Sequence, residues 1–240
     1  MILDDIVAHK REEVARQKAA VPQAILEDRI ASMPPPRDFR TALRQDGISL
    51  IAEVKRASPS RGDILPEASA AELAGLYEAA GARAISVLTD AKYFKGSLQD
   101  LISARQNVRI PVLRKEFIID PYQVIEARAA GADAVLLIVR ILSDAELHDL
   151  RELAEGFGLG VLVETHTGEE VDRALAAGAH IVGINNRDLD TLDMNLETTM
   201  ELRKRVPGGH VLVSESGIHT RRHVEMLEDG GVDAILVGES

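Results

Sequence analysis

Eight short apolar runs, each separated from the next by a stretch of helical composition, restrict what this chain can fold into more than any other feature. The runs are Leu50–Val54, Ala84–Leu88, Val112–Leu113, Ala134–Val139, Gly160–Val163, Ile181–Ile184, Val211–Val213 and Ala234–Val237. Most are continuous rather than alternating, the pattern of strands buried on both faces. Segments between them, such as PYQVIEARAA and SDAELHDLRELAEGF, read as helices, and strands alternating with helices imply parallel crossover units. Four junctions recur almost literally: AAGARAISVL, AAGADAVLLI, AAGAHIVGI and DGGVDAILVG. In each, a glycine (Gly81, Gly131, Gly178, Gly231) stops a helix and a tight turn feeds a buried strand. Eight such units close on themselves, so the predicted fold is α/β, a (β/α)8 TIM barrel. An open doubly wound sheet is the rival; it usually begins with a glycine-rich turn, which is absent after Val54.

The length of 240 residues suits one such barrel, which typically needs about 250. With aromatics at 3% and no Trp, the core has to be built from Ala, Val, Ile and Leu. A net charge of −11 argues against a nucleic-acid partner, whose phosphates need basic surface. The absence of Cys excludes disulfides, thiolate metal sites and cysteine nucleophiles together. No apolar run approaches the roughly 20 residues that span a bilayer, and the charged N-terminus MILDDIVAHKREEVARQK lacks a signal core. A soluble, cytoplasmic protein is expected. The seven His residues show no ligand spacing, so no metal site is expected, and His166 reads as a solvated loop residue.

Residues 1–48 precede the first strand. They predict an amphipathic helix over Leu3–Ala20, a second over Val21–Ile30, a break at Pro34–Pro36 and a short helix capped by Asp38. This extension is too small to stand alone and is expected to pack on the barrel of 49–240, making 1–240 a single domain. The sequence stops at Ser240, directly after the eighth run, without an eighth helix. The outer faces of strand eight and part of strand one are therefore expected to be exposed. The natural protein is expected to continue beyond Ser240, with cover from a partner subunit or the extension as the alternative.

In a barrel of this kind the active site lies where the strands end, so polar residues just past each run are the candidates. They are Glu53 and Lys55 at strand one, Lys115 after strand three, Glu164 after strand five, Asn185 after strand six, and Glu215 with Ser216 after strand seven. Each alone fits a solvated loop; together they converge on one mouth. Glu53 is the strongest single case, because Ala52-Glu53-Val54 buries a carboxylate that needs a partner such as Lys55 or Lys115. Gly217 after strand seven and Gly238 after strand eight allow backbone N–H groups to approach an anion, which favours a phosphorylated substrate. Phe94 and Phe117, two of only four Phe residues, fall in loops after strands two and three, where a flat ring could stack.

Several stretches resemble the indole-3-glycerol-phosphate synthase family: IAEVKRASPSRG (51–62), SVLTDAKYFKGS (86–97), PVLRKEFIIDPYQV (111–124), ADAVLLIVRIL (132–142), LVETH (162–166), GINNRDL (183–189), SESGI (214–218) and LVGES (236–240). The resemblance covers the whole chain in order. It implies a cofactor-free lyase of tryptophan biosynthesis. The substrate, 1-(o-carboxyphenylamino)-1-deoxyribulose 5-phosphate, would be closed to an indole with loss of carbon dioxide and water. By similarity, Lys115 is the general acid at the sugar carbonyl, Lys55 grips the substrate carboxylate and moves a proton at dehydration, and Glu164 completes the loss of water. Glu53, Asn185, Glu215 and Ser216 resemble the shell that orients them. Ser58, Phe94, Phe117, Arg187 and Leu189 match binding positions, while Gly217, Gly238 and the Glu239 amide match the phosphate cradle. No step calls for a metal, nucleotide or redox group, and a monomer or weak homo-oligomer is expected. Two enzyme rivals share the barrel: a phosphoribosylanthranilate isomerase, which wants a cysteine base, and a Schiff-base aldolase using either lysine. A catalytically silent barrel is the third alternative.

Overall fold

A computed structural model of the chain describes residues 2–55, 57–58, 62–63, 69–188, 191 and 193–238. Eight parallel strands hydrogen-bond in order around a closed barrel. They are β1 (Ser49–Val54), β2 (Ala84–Leu88), β3 (Val112–Lys115), β4 (Ala134–Ile138), β5 (Gly160–Thr165), β6 (Ile181–Asn185), β7 (Val211–Glu215) and β8 (Ala234–Val237). Closure is made by β1, whose Ser49–Ala52 pair with Ala234–Val237 while Ile51–Val54 pair with Ala84–Val87. The four repeated glycines sit where the repeats placed them, each at positive φ between 77° and 98° after a helix, a conformation that costs glycine no Cβ clash.

Two apolar layers follow from the strand period of two. Ile51, Leu113, Leu136, Leu162, Ile181, Val211, Val213 and Leu236 fill the interior, and Phe39 and Leu43 close it from below. The opposite faces of the strands pack against the outer helices through Val87, Val112, Val135, Val163 and Val182. Phe39 and Leu43 belong to a short helix, α3 (Phe39–Leu43), whose N-terminus is capped by the Asp38 carboxylate accepting from the Thr41 N–H at 2.9 Å. Two longer helices precede it, α1 (Ile2–Ala20) and α2 (Gln23–Ala31), within a residue or two of expectation. Val14 and Leu26 from these two join Tyr122 and Ile125 in a small cluster against the barrel wall.

The expected exposure at the outer face of β8 is only partly found. Ile235 is 5% exposed, buried against Leu227 and Val232, whereas Leu50 and Val237 are half-buried at the margin of that cluster. The helix before β8, Arg221–Asp229, supplies Leu227 and so gives Ile235 the cover that its own following helix was expected to provide.

Candidate active site

Strand parity gathers the polar residues. Glu53 follows Ile51 by two positions, Lys115 follows Leu113, Glu164 follows Leu162 and Glu215 follows Val213, and each of those apolar partners points into the barrel. The charged side chains therefore form the uppermost interior layer. The sequence puts Lys115, Glu164, Asn185 and Glu215 just beyond their strands; they lie within them, because β3, β5, β6 and β7 run on past the apolar residues. Mutual neutralisation lets the ladder continue through charged positions.

Lys115 is the centre. Its Nζ donates to Glu215 Oε2 at 3.0 Å, and stands 3.6 Å from Glu53 Oε2 and 3.9 Å from Glu164 Oε2. Lys55 Nζ approaches the other face of Glu53, 3.4 Å from Oε1. Burial alone would push the Lys115 ammonium pKa down, but Glu215, Glu53 and Glu164 together raise it above the ordinary lysine range. Burial raises Glu215, with Glu164 and Glu53 adding to it against the pull of Lys115, to about 7. Three crowded carboxylates facing one ammonium thus leave Glu215 as the one that takes up a proton near neutrality.

Two glycines make room for this cluster. A Cβ on Gly183 would lie 2.3 Å from Glu215 Oε1, and one on Gly238 would lie 2.5 Å from Glu53 Oε1. Gly238 is expected to serve an anion; its side of the mouth also accommodates a carboxylate. Sequence reasoning misses Gly183, although a glycine on the inward register of a buried strand is the signal that something large fills its place.

The loop after β7 is held from β6. Asn186 Nδ2 donates to Ser214 Oγ at 3.0 Å and to the carbonyls of Glu215 and Ser216 at 2.9 and 3.1 Å. This tethering holds Ser216 at φ 66° and Gly217 at φ 77°, successive left-handed residues of which the first bears a side chain. Asn185 Oδ1 accepts the Arg187 N–H at 3.1 Å, and Arg187 bridges to Met194 across the loop after β6. A cavity of about 50 Å³ is lined by Glu53, Lys55, Lys115, Arg187, Ser216, Gly217 and Gly238 among others, bringing seven of the expected residues to one space.

Phe94 and Phe117 meet with ring centroids 6.1 Å apart and planes at 33°. Phe94 ends a short helix, Ala91–Phe94, rather than lying in irregular loop, because Asp90 caps the turn by accepting the Tyr93 N–H. Of Ser58 only the backbone is described, in a two-residue pairing with Gly62, and Leu189 and Glu239 lie outside the described residues.

His166 is not solvated. Its side chain is 5% exposed, with Nε2 3.4 Å from Glu164 Oε1 and Nδ1 3.2 Å from Glu170 Oε2. Burial disfavours the imidazolium, but Glu170 and Glu164 outweigh it and raise the pKa above the usual histidine value. The spacing Glu164–His166–Glu170 carries the signal: the first two share a strand-end face and the third begins the next helical turn. Among the described residues no group of three or more His, Asp or Glu side chains is arranged to hold a metal ion, and no helix is long and apolar enough to cross a membrane.

The family model described as indole-3-glycerol phosphate synthase matches residues 3–240. The chain is 51% identical over 248 residues to the indole-3-glycerol phosphate synthase of Roseiflexus sp. (strain RS-1), covering 100% of this chain and 92% of that one. It is 48% identical over 243 residues to the enzyme of the same description from Dechloromonas aromatica (strain RCB), covering 100% and 93%. Among solved structures, the N-acetylmannosamine-6-phosphate 2-epimerase of Clostridium perfringens superposes with a TM-score of 0.64 at 16% identity, covering 86% of this chain and 93% of that one, a likeness of fold alone. A full-length family match and two relatives at about half identity place the chain: it belongs to the indole-3-glycerol phosphate synthase family, carboxy-lyases of tryptophan biosynthesis built on a TIM barrel.

Proposed function

We propose that the Lys115 cluster performs the family's ring closure on 1-(o-carboxyphenylamino)-1-deoxyribulose 5-phosphate, with Lys115 as general acid. The observation that carries this reading is one ammonium facing three buried carboxylates at 3.0, 3.6 and 3.9 Å. Such an ammonium is fully protonated at neutral pH, so its proton is available when negative charge develops on the sugar carbonyl oxygen. Attack by the ring carbon closes the five-membered ring, and loss of carbon dioxide restores the aromatic system. Lys55, joined to Lys115 through Glu53, is placed to hold the departing carboxylate and to supply a proton during dehydration. Glu164 then removes the proton that completes the loss of water, with His166 Nε2 3.4 Å from its Oε1. Asn185, Glu215 and Ser216 orient these groups.

Binding follows from residue type. Phe94 and Phe117 offer the aromatic ring a stacking surface. The backbone N–H groups after β7 and β8, at Gly217 and Gly238, suit the phosphate, and Arg187 borders the remaining substrate; Ser58, Leu189 and Glu239 take their binding roles from the family resemblance alone. The extension 1–48 and the barrel 49–240 act as one domain in a cytoplasmic monomer or weak homo-oligomer, without nucleic-acid partners. The test is direct: purified protein given the carboxyphenylamino substrate should produce indole absorbance and fluorescence. Lys115→Ala should lower kcat at least about 100-fold with KM little changed. Absence of indole product from the wild type overturns the reading, and a Lys115→Ala variant of near-normal kcat removes the general acid.

A further inference from the structure

The N-terminal helix α1 reaches the loops of the barrel mouth with one buried lysine, beside more exposed contacts of Lys18 with Asp120 and of the Tyr93 hydroxyl with the Asp5 carbonyl. Its buried stripe runs Ile6, Lys10, Val14 at four-residue spacing, and Lys10 is 1% exposed, less than either apolar neighbour. A lysine there is unfavourable unless its ammonium is paired. Lys10 Nζ donates to Glu13 Oε2 at 2.8 Å and to Asp90 Oδ2 at 2.8 Å, and lies 3.0 Å from Glu116 Oε1. Asp90 and Glu116 are themselves 0% and 3% exposed, so the ammonium and these two carboxylates are out of solvent, with Glu13 at the edge.

Both distant partners hold a loop that carries an aromatic residue. Asp90 Oδ1 accepts the Tyr93 N–H at 2.6 Å and so caps the turn that ends at Phe94. Glu116 Oε1 accepts the Phe117 N–H at 2.9 Å, and its Oε2 accepts the Thr89 hydroxyl at 2.8 Å. Lys10 therefore ties the loop after β2 to the loop after β3, the two loops whose rings lie 6.1 Å apart. Arg114 is no substitute, for its guanidinium is 3.9 Å from Glu116 and closer, at 2.8 Å, to Glu126.

We infer that Lys10 is a positioning residue for the Phe94–Phe117 pair, setting the separation of the two rings and hence the binding of the substrate's aromatic ring. The inference rests on the proposed role of that pair as the ring's stacking surface. Lys10 touches no reacting atom; it acts through Asp90 and Glu116.

Lys10→Met keeps the length of the side chain and removes its charge. It should raise KM at least about tenfold, leave kcat within about threefold, and leave the inhibition constant of inorganic phosphate within about twofold. Lys10→Arg should recover most of the KM. In ligand-free protein, amide hydrogen exchange should quicken at residues 93, 94 and 117 and stay unchanged at 217. An unchanged KM alongside a lowered melting temperature makes Lys10 an anchor only and overturns the inference, as does a parallel rise in KM and in the phosphate constant. Should Lys10→Met fail to fold, Asp90→Asn, which retains the capping oxygen, is measured in the same way and supports or overturns the inference on the same outcomes. The exchange experiment needs no turnover. A wild type without indole product therefore sinks the functional reading, while unchanged exchange at 93, 94 and 117 sinks the linkage.

Discussion

Gly238, the residue after β8, and Glu53 in β1 touch so closely that any side chain at 238 would strike the carboxylate: a Cβ there would stand 2.5 Å from Glu53 Oε1 and 2.9 Å from Glu53 Cβ. Glu53 is also the residue that lies between Lys55 and Lys115, at 3.4 and 3.6 Å. Gly238→Ala should therefore displace Glu53 and reduce kcat/KM at least about tenfold, about 1.4 kcal/mol of transition-state stabilisation. The same variant should lose the rise in melting temperature that inorganic phosphate gives the wild type. Steady-state kinetics and thermal melts with and without phosphate check both, and normal activity in Gly238→Ala would show that the contact relaxes freely.

Glu215 links the site to stability. Its carboxyl titrates at about 7 in the folded protein against 4.5 ordinarily. Below about pH 4.5 it is protonated whether the chain is folded or not, and its contribution is fully present. Between about 4.5 and 7 only the folded chain holds the proton, so this contribution falls as pH rises and is lost above 7. Glu215→Gln should abolish that decline: the stability of wild type relative to the variant drops across this window. Urea unfolding of both proteins at pH 5 and pH 8 measures it, and a constant difference between the two would contradict the assignment.

His166 stands between two carboxylates, and its imidazolium is favoured by both. His166→Gln removes the charge 3.4 Å from Glu164 and should lower kcat about tenfold near pH 6.5, with an effect that shrinks as the pH rises and the wild-type ring loses its proton. The pH–rate profile is the readout. Superimposable profiles would reduce His166 to a packing residue.

Two of the repeated junctions carry an aspartate with a shared task. Asp133 Oδ2 accepts the Val112 N–H at 2.9 Å, and Asp233 Oδ2 accepts the Leu212 N–H at 2.8 Å, each carboxylate reaching back to the strand before its own. Asp133, 0% exposed, also accepts the Arg37 N–H at 2.7 Å and so fastens the extension to the base of the barrel. Asp133→Ala leaves two backbone N–H donors and the Arg105 guanidinium, 2.8 Å from the carboxylate, without that partner and should cost about 3 kcal/mol or more, while kcat and KM of the folded fraction stay near wild type. Denaturant midpoints settle the first part, and a shift below 1 kcal/mol (about one neutral hydrogen bond) would mean that water replaces the carboxylate.

The barrel is legible because its signals are local. Gly81, Gly131, Gly178 and Gly231 each mark a helix end followed by a strand, and the apolar runs begin within a residue of the observed strands. Lys115, Glu164 and Glu215 stand out as candidates because each places a charge at the end of an apolar run, where burial would be costly without a partner. Their strand ends are harder to place, since a charged residue reads as loop until its counter-ions are known. His166 reads as solvated for the same reason: Glu164 and Glu170 are visible in the sequence, but not the burial that presses the ring between them.

The sequence by itself determined the alternation of strand and helix, the closing number of eight, and the placing of Glu53, Lys115, Glu164 and Glu215 at the ends of apolar runs, all of which depend on neighbours a few residues apart. Only the tertiary structure decided which charges meet. Lys10 lies 80 positions from Asp90, and Lys115 lies 100 from Glu215, yet each pair is within hydrogen-bonding distance. Pairing across such separations is created by barrel closure and by the docking of α1, and its strength depends on the exclusion of water, a property of the packed whole that no stretch of sequence possesses.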